Sequence, residues 1–509
     1  MNEKQMKANL FFTTFAFILS LAINFYITPL ISKNLGDAAY GFVSMANDFV
    51  SYAAIISAVL NSVSARFVAL EIYKNQYEKA NKYYSSVFIV NVILAVLLSI
   101  LGIVFIVQID DILSVPASLV GDVQITFLLT FFNYIIVLCS SIFTVCTYVT
   151  NRLDISGIRN IISYLIKFVI VLLLFNLLEI HMYFIAIATV VSSVFLAVTN
   201  IQLTKKLLPK LKFKFSFFDI KYVKILALSG IWMAISNLSQ VLMTGLDSVI
   251  TNTMLGADAM GTLSVSRTIP NAVISAISTI GIIFTPNFVE LYAKGKNNEL
   301  IEACKKSMKV MTVVLGVPIV GVCIFGERFY SLWLPYKTPD EIILIQTLSV
   351  LMMIQSVFNM MTISIAQLSV VTNKLKVPVF VSISLGVINI LLVIFLVNHT
   401  SLGLYAVAGV SSVLFIVRYF LFNPIYAAYT IKAKWYAFYG TVLRCSIPVL
   451  VTAAVFAVIN RMVKITGWGT FIVVIIFAGA FGYAIIIASL IDIKEFIHKG
   501  KKERKSAKD

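Results

Sequence analysis

The chain has 509 residues, of which 60% are hydrophobic and only 12% are charged, and its mean hydropathy is +0.96. This composition excludes a soluble enzyme and leaves little sequence for domains outside a membrane. A formal net charge of +17 would suit a nucleic-acid-binding protein, but the sequence holds no basic folded domain to carry such a surface.

Apolar runs of about 17–25 residues, each long enough to cross a bilayer as a helix, follow one another along the chain. They predict an all-α polytopic membrane protein with fourteen transmembrane helices. These spans, numbered 1–14 in chain order, are Leu10–Leu30, Tyr40–Val63, Tyr84–Val107, Val123–Tyr148, Ile161–Leu178, Met182–Leu203, Ile225–Ile250, Met260–Phe284, Met308–Phe325, Ile342–Leu368, Val377–Val397, Leu404–Tyr426, Trp435–Ile459 and Thr470–Leu490.

Basic residues alternate between the connections, and this alternation predicts the orientation. Of the forty Lys and Arg residues, thirty-one fall in the N-terminus, the even-numbered connections and the C-terminal tail when Lys309 at the start of span 9 is counted with them, whereas the odd-numbered connections hold five. Because positive charge marks the cytoplasmic side, both termini are expected in the cytoplasm. Most of the net charge is therefore a topology signal.

An internal repeat predicts two related halves. The segment Leu35–Ser44 aligns without gaps on Leu255–Ser264, 220 residues later, with matches at Leu, Gly, Ala, Gly and Ser. Each copy joins two spans by a short turn of the form LG-x-x-A-x-G. The repeat unit holds six spans, so both copies share one orientation and are expected to be related by an axis along the membrane normal.

The repeat divides the chain into expected domains. Residues 1–204 form an N-lobe of spans 1–6, and residues 205–224 form a basic cytoplasmic linker. Residues 225–430 form a pseudo-symmetric C-lobe of spans 7–12, and residues 431–492 add spans 13 and 14 as a C-terminal pair. Residues 493–509 form a basic cytoplasmic tail, whose Lys and Arg are suited to anionic headgroups.

Three motifs resemble a known family: the turn Leu35–Gly41, its partner from Gly245-Leu246-Asp247 to Gly261, and the amphipathic segment Asn287–Tyr292. The chain resembles the polysaccharide-unit (O-antigen flippase-like) transporters of the multidrug/oligosaccharidyl-lipid/polysaccharide exporter superfamily. The resemblance implies a V of two lobes that works by alternating access. It also implies a substrate, an undecaprenyl-diphosphate-linked oligosaccharide that moves to the outer leaflet for surface polysaccharide biosynthesis, with membrane lipids and polymerase or chain-length machinery as further partners.

A sugar-diphosphate head group needs a wet and locally cationic path, so charged residues within spans are the candidates for contacting it. The substrate-binding candidates are Arg267 in span 8, its repeat equivalent Asn47 in span 2, Lys167 in span 5 and Arg418 in span 12. A guanidinium fork suits phosphate oxygens, which favours Arg267. The alternative is that these cations only form intramembrane ion pairs, or that Lys167 and Arg418 extend to headgroups.

Two carboxylates, Asp48 in span 2 and Asp247 in span 7, are clearly intramembrane. A carboxylate in a low-dielectric cavity has a raised proton affinity, so either group could couple transport to an ion gradient. Pairing with Arg267 or Lys167 is the structural alternative. The sequence does not identify the energy source, the saccharide or the oligomeric state.

Three other functions fit the sequence less well. A cation-coupled drug exporter of the same superfamily usually has twelve spans and an acidic residue in span 1, where this chain has Asn24. A peptidoglycan-precursor flippase shares fourteen spans but tends to carry a basic residue in span 1. A membrane glycosyltransferase or polymerase needs positioned carboxylates outside the lipid, and the outer connections are short, so no catalytic residues are expected.

Neither a metal nor a cofactor is expected. The five cysteines lie within or beside spans and lack metal-ligand spacing, so they are interpreted as small apolar packing residues. They are Cys139, Cys146, Cys304, Cys323 and Cys445.

Overall fold

The fold is described from a computed structural model over residues 3–490, which are helical apart from turns and short connections. In this range thirteen helices are long and apolar enough to cross a membrane. The first, Phe11–Tyr73, contains both span 1 and span 2, so the structure confirms the all-helical polytopic fold with a count near fourteen. The predicted basic tail at 493–509 lies outside the described residues.

Several helices run beyond the apolar segments that predicted them, because polar residues continue the helical backbone; span 9, for example, begins at Asn297 instead of Met308. The helices are Glu3–Tyr73 (spans 1 and 2), Tyr77–Val107 (span 3), Val120–Ser140 with Val145–Val149 (span 4), Leu153–Leu177 (span 5), Tyr183–Leu207 (span 6), Ile220–Gln240 with Asp247–Leu255 (span 7), Ala257–Gly281 with Thr285–Ala293 (span 8), Asn297–Trp333 (span 9), Pro339–Ala366 with Leu368–Val371 (span 10), Lys376–His399 (span 11), Leu404–Ile416 with Asn423–Thr430 (span 12), Tyr439–Met462 (span 13) and Trp468–Leu490 (span 14).

The two copies of the LG-x-x-A-x-G turn share an unusual backbone conformation. Gly36 has φ 83° and ψ 167°, and its repeat equivalent Gly256 has φ 92° and ψ 173°. Only glycine adopts this region without strain, so the turn itself explains why both copies of the motif have glycine at this position. The same sharp reversal therefore joins span 1 to span 2 and span 7 to span 8.

The second glycines of the two turns meet each other. A Cβ placed on Gly41 would lie 2.9 Å from the Cα of Gly261, and a Cβ on Gly261 would overlap the backbone carbonyl of Asp37. Small residues let helix backbones approach closely in a membrane. The first turns of spans 2 and 8 thus pack backbone to backbone. A side chain larger than hydrogen at either position would clash with the backbone of the other turn.

Residue contacts divide the chain into two compact units. The first consists of Met1–Val265 with Val379–Ile394, and the second of Ser266–Pro378 with the chain from Phe395 onward. The core of the first unit is built on spans 1–7, with large buried side chains such as Phe42 and Phe127. The core of the second unit is built on spans 8, 9, 10, 13 and 14 and the end of span 12, around side chains such as Phe288 and Phe456. The predicted lobe boundaries remain a prediction.

Prolines within the spans of the second unit leave carbonyls without a helical donor, because proline has no N–H to offer the carbonyl four residues earlier. Within a membrane such a carbonyl needs another partner. In three cases a hydroxyl of another span supplies it: Ser349 donates to Ser266 at 2.7 Å (before Pro270), Tyr483 to Val314 at 3.3 Å (before Pro318), and Tyr439 to Phe420 at 2.9 Å (before Pro424).

Candidate functional site

Lys167 lies on the protein-facing side of span 5. It is the fifteenth residue of the 25-residue helix Leu153–Leu177. The positions one turn away on either side, Ser163 and Val171, are 3% and 0% exposed. The opposite face of the helix, by contrast, is apolar and exposed, with Ile162, Leu165, Val169 and Leu173.

The Lys167 ammonium has no partner among the described residues: no carboxylate lies within ion-pair distance and no side chain or carbonyl within hydrogen-bond distance. The side chain is half-buried. A cation in the middle of a membrane-spanning helix is costly unless it meets water, a counter-charge or a ligand. The structure thus disfavours the alternative in which Lys167 is neutralised by Asp48 or Asp247.

The two intramembrane carboxylates are brought together in the first unit. The Ser248 hydroxyl donates to Asp48 Oδ2 at 2.6 Å, and Ser248 directly follows Asp247, which is 5% exposed. Asp48 itself is half-buried. Spans 2 and 7 thus meet at Asp48 and Ser248, with Asp247 next in the chain, and we call these three residues the acidic cluster.

Beside this cluster span 7 loses its α-helical geometry. Residues Val241–Gly245 form a π-helical turn between the two α-helical parts. The Tyr52 hydroxyl donates to the Gly245 carbonyl, and Asn389 Nδ2 of span 11 donates to the Met243 carbonyl at 3.0 Å. π-Turns inside helices are rare and are frequent at functional sites. Tyr52 lies one turn after Asp48, so the same face of span 2 contacts both the π-turn of span 7 and Ser248.

Polar side chains are exposed on the same two spans. On span 2, Asn47 and Ser51 are exposed and bond to carbonyls of their own helix. On span 7, Asn237 and Gln240 are exposed in the same way. Exposing four amide and hydroxyl side chains to the hydrocarbon of a membrane is unfavourable. These faces are therefore suited to water or to a polar ligand.

Arg267 lies in the second unit and is half-buried. The residue before it is held by a buried network in which Tyr330 bonds Ser349 at 2.7 Å and Ser349 bonds the Ser266 carbonyl. Spans 9 and 10 thus fix span 8 at the position from which Arg267 extends, just before Pro270. This positioning is consistent with a defined role for the guanidinium and leaves its ligand open.

Arg418 lies in a second π-helical segment, Val417–Phe422 in span 12. It is half-buried, and its Nε is buried with no hydrogen-bond partner in the part of the chain that the structure describes. The Tyr439 hydroxyl supports this segment by its bond to Phe420. The second unit thus has a cation, Arg418, within a π-helical segment. The first unit has the acidic cluster beside its own π-helical segment, Val241–Gly245.

Sequence reasoning missed Arg159. It was assigned to a connection because the apolar run begins at Ile161, whereas the helix begins at Leu153. Arg159 is 9% exposed, and its Nη1 donates to Asn200 Oδ1 at 2.9 Å while Nη2 is buried without a partner among the described residues. Tyr52 and Asn389 were missed as well, because their roles depend on a helix break that hydropathy does not show.

The described residues contain no group of His, Cys, Asp and Glu arranged to hold a metal ion. The second unit contains a cavity of about 230 Å³ between spans 9, 10 and 13, lined almost entirely by aliphatic and aromatic side chains such as Ile319, Val357 and Leu450. A cavity with such walls suits a hydrocarbon chain.

The fold is that of solved membrane transporters, one of which is described as a member of the MOP (multidrug/oligosaccharidyl-lipid/polysaccharide) superfamily. The lipid II flippase MurJ, in an inward closed conformation, superposes with a TM-score of 0.69 at 15% identity over 96% of this chain and 99% of its own. An inward-facing multidrug resistance MATE family transporter of the superfamily gives 0.67 at 15% identity, over 82% of this chain and 94% of its own.

Residues 6–292 match the family described as "Polysaccharide biosynthesis protein", and because this match covers more than half of the chain, the chain belongs to that family. The membrane protein EpsK of Bacillus subtilis (strain 168), described as uncharacterized, is 26% identical over 490 residues, 94% of each chain. The resemblance drawn from the turns is therefore confirmed. The protein is a multi-pass membrane protein of this polysaccharide biosynthesis family, with a fold that solved transporters share.

Proposed function

We propose that the protein flips an undecaprenyl-diphosphate-linked oligosaccharide unit across the bacterial cytoplasmic membrane by alternating access. Both termini lie in the cytoplasm, as the basic residues indicate. The exported unit serves surface polysaccharide biosynthesis, whether of an O-antigen, another lipopolysaccharide part or an exopolysaccharide. Polymerase and chain-length machinery would then act on the product at the outer face.

The observation that carries this proposal is the unneutralised Lys167 ammonium on the protein-facing side of span 5. A diphosphate is the anionic part of such a substrate, and a cation that meets it inside the membrane recovers the cost of its own desolvation. The polar faces of spans 2 and 7 supply hydrogen bonds for sugar hydroxyls, with Asn47 as the candidate residue.

Arg267 and Arg418 are the second unit's contributions to substrate binding. Each is half-buried, and the Arg418 Nε–H donates to no acceptor among the described residues. A guanidinium offers two parallel donors to one phosphate. The apolar cavity beside spans 9, 10 and 13 suits part of the hydrocarbon tail of the lipid carrier.

Deleting the gene is expected to abolish surface polysaccharide and to leave lipid-linked oligosaccharide in the inner leaflet, where an impermeant glycosidase added outside intact cells does not reach it. Expression of the protein from a plasmid should restore both. Normal surface polysaccharide in the deletion strain would contradict the proposal.

Asp48 and Asp247 are proposed as the site where an ion gradient is coupled to transport. If so, Asp48→Asn should remove the dependence of transport by reconstituted vesicles on an imposed proton or sodium gradient, since the amide cannot gain or lose charge. Asp258→Asn is the matched control, because Asp258 is an exposed carboxylate in the first turn of span 8. Equal gradient dependence in both variants would rule out this role.

A peptidoglycan-precursor flippase is the second candidate, favoured by the match to MurJ over 96% of this chain. It shares the polyprenyl-diphosphate part of the substrate and differs in the saccharide. Rescue of growth in cells depleted of their own precursor flippase separates the two functions. We expect no rescue, and a drug-export role would show instead as raised resistance without a change in polysaccharide.

A further inference from the structure

The connection between spans 6 and 7 contains a short segment of alternating basic and apolar residues. We call residues 208–219 the basic strap. Lys210, Lys212 and Lys214 alternate in it with Leu211, Phe213 and Phe215. Flanking lysines raise the total between residues 205 and 224 to seven, against one carboxylate, Asp219.

The strap is bound along the start of span 3 by its backbone. Asn81 Oδ1 accepts from the Lys212 N–H at 2.8 Å, Ser85 Oγ accepts from the Lys214 N–H at 3.3 Å, and Ser86 Oγ accepts from the Asp219 N–H at 3.1 Å. These three acceptors lie on one face of span 3 and are buried. Because its backbone is held at three points, the strap has a fixed inner and outer side.

The inner side is apolar and packed. Leu211 is 8% exposed, and the Phe213 ring, although 37% exposed, meets Phe88 of span 3 at 4.9 Å between centroids. The outer side carries the three strap lysines, all exposed, and the most exposed ring of the segment, Phe215, at 77%. A largely exposed aromatic ring beside lysines is typical of segments that lie in a membrane interface.

None of the seven lysines forms an ion pair with a carboxylate among the described residues. Lysines elsewhere on the predicted cytoplasmic side do: Lys294 pairs with Glu290, Lys296 with Glu299 and Lys305 with Glu302. The hydrogen bond from Lys294 to Glu290 raises the pKa of that lysine above its ordinary value. Lys210 and Lys214 lie over the rings of Tyr77 and Phe217 instead. The positive charge of the strap is therefore not neutralised by a carboxylate among the described residues.

We infer that the basic strap is a docking surface for the anionic lipid headgroups of the cytoplasmic leaflet, with Phe215 entering the interface and the lysines contacting phosphates. Each lysine near an anionic surface strengthens binding by about fivefold. The inference rests on the proposed orientation, which places the connection in the cytoplasm. Its consequence is that the cytoplasmic edge of span 3 is held at the depth of the headgroups.

The test uses the full chain in nanodiscs of phosphatidylcholine alone or of phosphatidylcholine with one-quarter phosphatidylglycerol. Hydrogen exchange of the amides in residues 208–219 is expected to slow by at least about tenfold when phosphatidylglycerol is present. The variant K210Q/K212Q/K214Q should lose this dependence, and Phe215→Ser should weaken it. The variant K294Q/K296Q/K305Q removes the same charge and should keep it.

Equal exchange in both nanodiscs, or equal loss in the two triple variants, would overturn the inference. So would full protection by soluble glycerol phosphate in phosphatidylcholine nanodiscs, which would indicate a free phosphate as ligand, or protection only after an acidic protein from the cell extract is added. The variant Lys206→Cys tests the orientation separately from the lipid contact, because a cysteine on the cytoplasmic side is not labelled by an impermeant reagent added outside intact cells. Labelling of that cysteine from outside intact cells would overturn both.

Discussion

Replacing Lys167 by glutamine is expected to lower polysaccharide export by about 10- to 100-fold at unchanged protein abundance. A hydrogen bond from a charged donor to a charged ligand contributes about 1.5–3 kcal/mol, and glutamine removes the charge while keeping a polar side chain of similar size. Lys167→Arg should retain part of the activity because it keeps the charge. Surface polysaccharide, normalised to the amount of transporter in the membrane, is the measurement.

Arg444→Gln is the matched control for Lys167. Arg444 lies in span 13 and is exposed, so its side chain can extend to headgroups. Its loss should leave export nearly unchanged. If Lys167→Gln exports normally, or if both variants fail to the same extent, Lys167 does not contact the substrate and the cationic-path account of the first unit is wrong.

Gly261→Ala is expected to destabilise the protein and abolish most of its export. The added methyl group would overlap the Asp37 carbonyl of span 2, where the two repeat turns pack backbone to backbone. Overpacking of this kind costs about 1–3 kcal/mol when the neighbours can shift, and here the neighbour is backbone. The melting temperature of the detergent-purified protein and export in cells are both measured.

Gly409→Ala provides the comparison, because a Cβ at this position in span 12 meets no atom within 4 Å. Alanine is favoured over glycine in a helix by about 0.5–1 kcal/mol, so this variant should be as stable as the parent or slightly more stable. A Gly261→Ala protein that melts and exports like Gly409→Ala would show that the close approach of spans 2 and 8 is dispensable.

Hydropathy was sufficient to predict the helical spans, since a membrane crossing depends on the length and apolarity of a run, and both are written in the sequence. The repeat aligned Gly36 with Gly256, and the structure shows that both adopt one backbone conformation. The ends of the helices were harder to predict from the sequence. Span 5 begins eight residues before its apolar run, and this difference hid Arg159.

The arrangement of the site could be predicted only in part. The positions of Asp48, Asp247 and Lys167 within predicted spans indicated that burying their charges in the membrane is unfavourable. Their partners, however, depend on how the helices rotate and pack. The hydrogen bond from Ser248 to Asp48 and the π-turn at Val241–Gly245 arise from tertiary contacts. No periodicity of the sequence encodes them, because the polar residues involved are also common as ordinary interhelical hydrogen-bonding groups.

The central claim is tested most directly by the purified protein in proteoliposomes loaded with a fluorescent undecaprenyl-diphosphate-linked oligosaccharide, with an impermeant quencher added outside. The account predicts that the parent protein and Arg444→Gln equilibrate the lipid between leaflets, and that Lys167→Gln does so at least about tenfold more slowly. Equilibration no faster than in protein-free liposomes, under either a proton or a sodium gradient, would contradict the claim that this protein is a flippase for lipid-linked oligosaccharides.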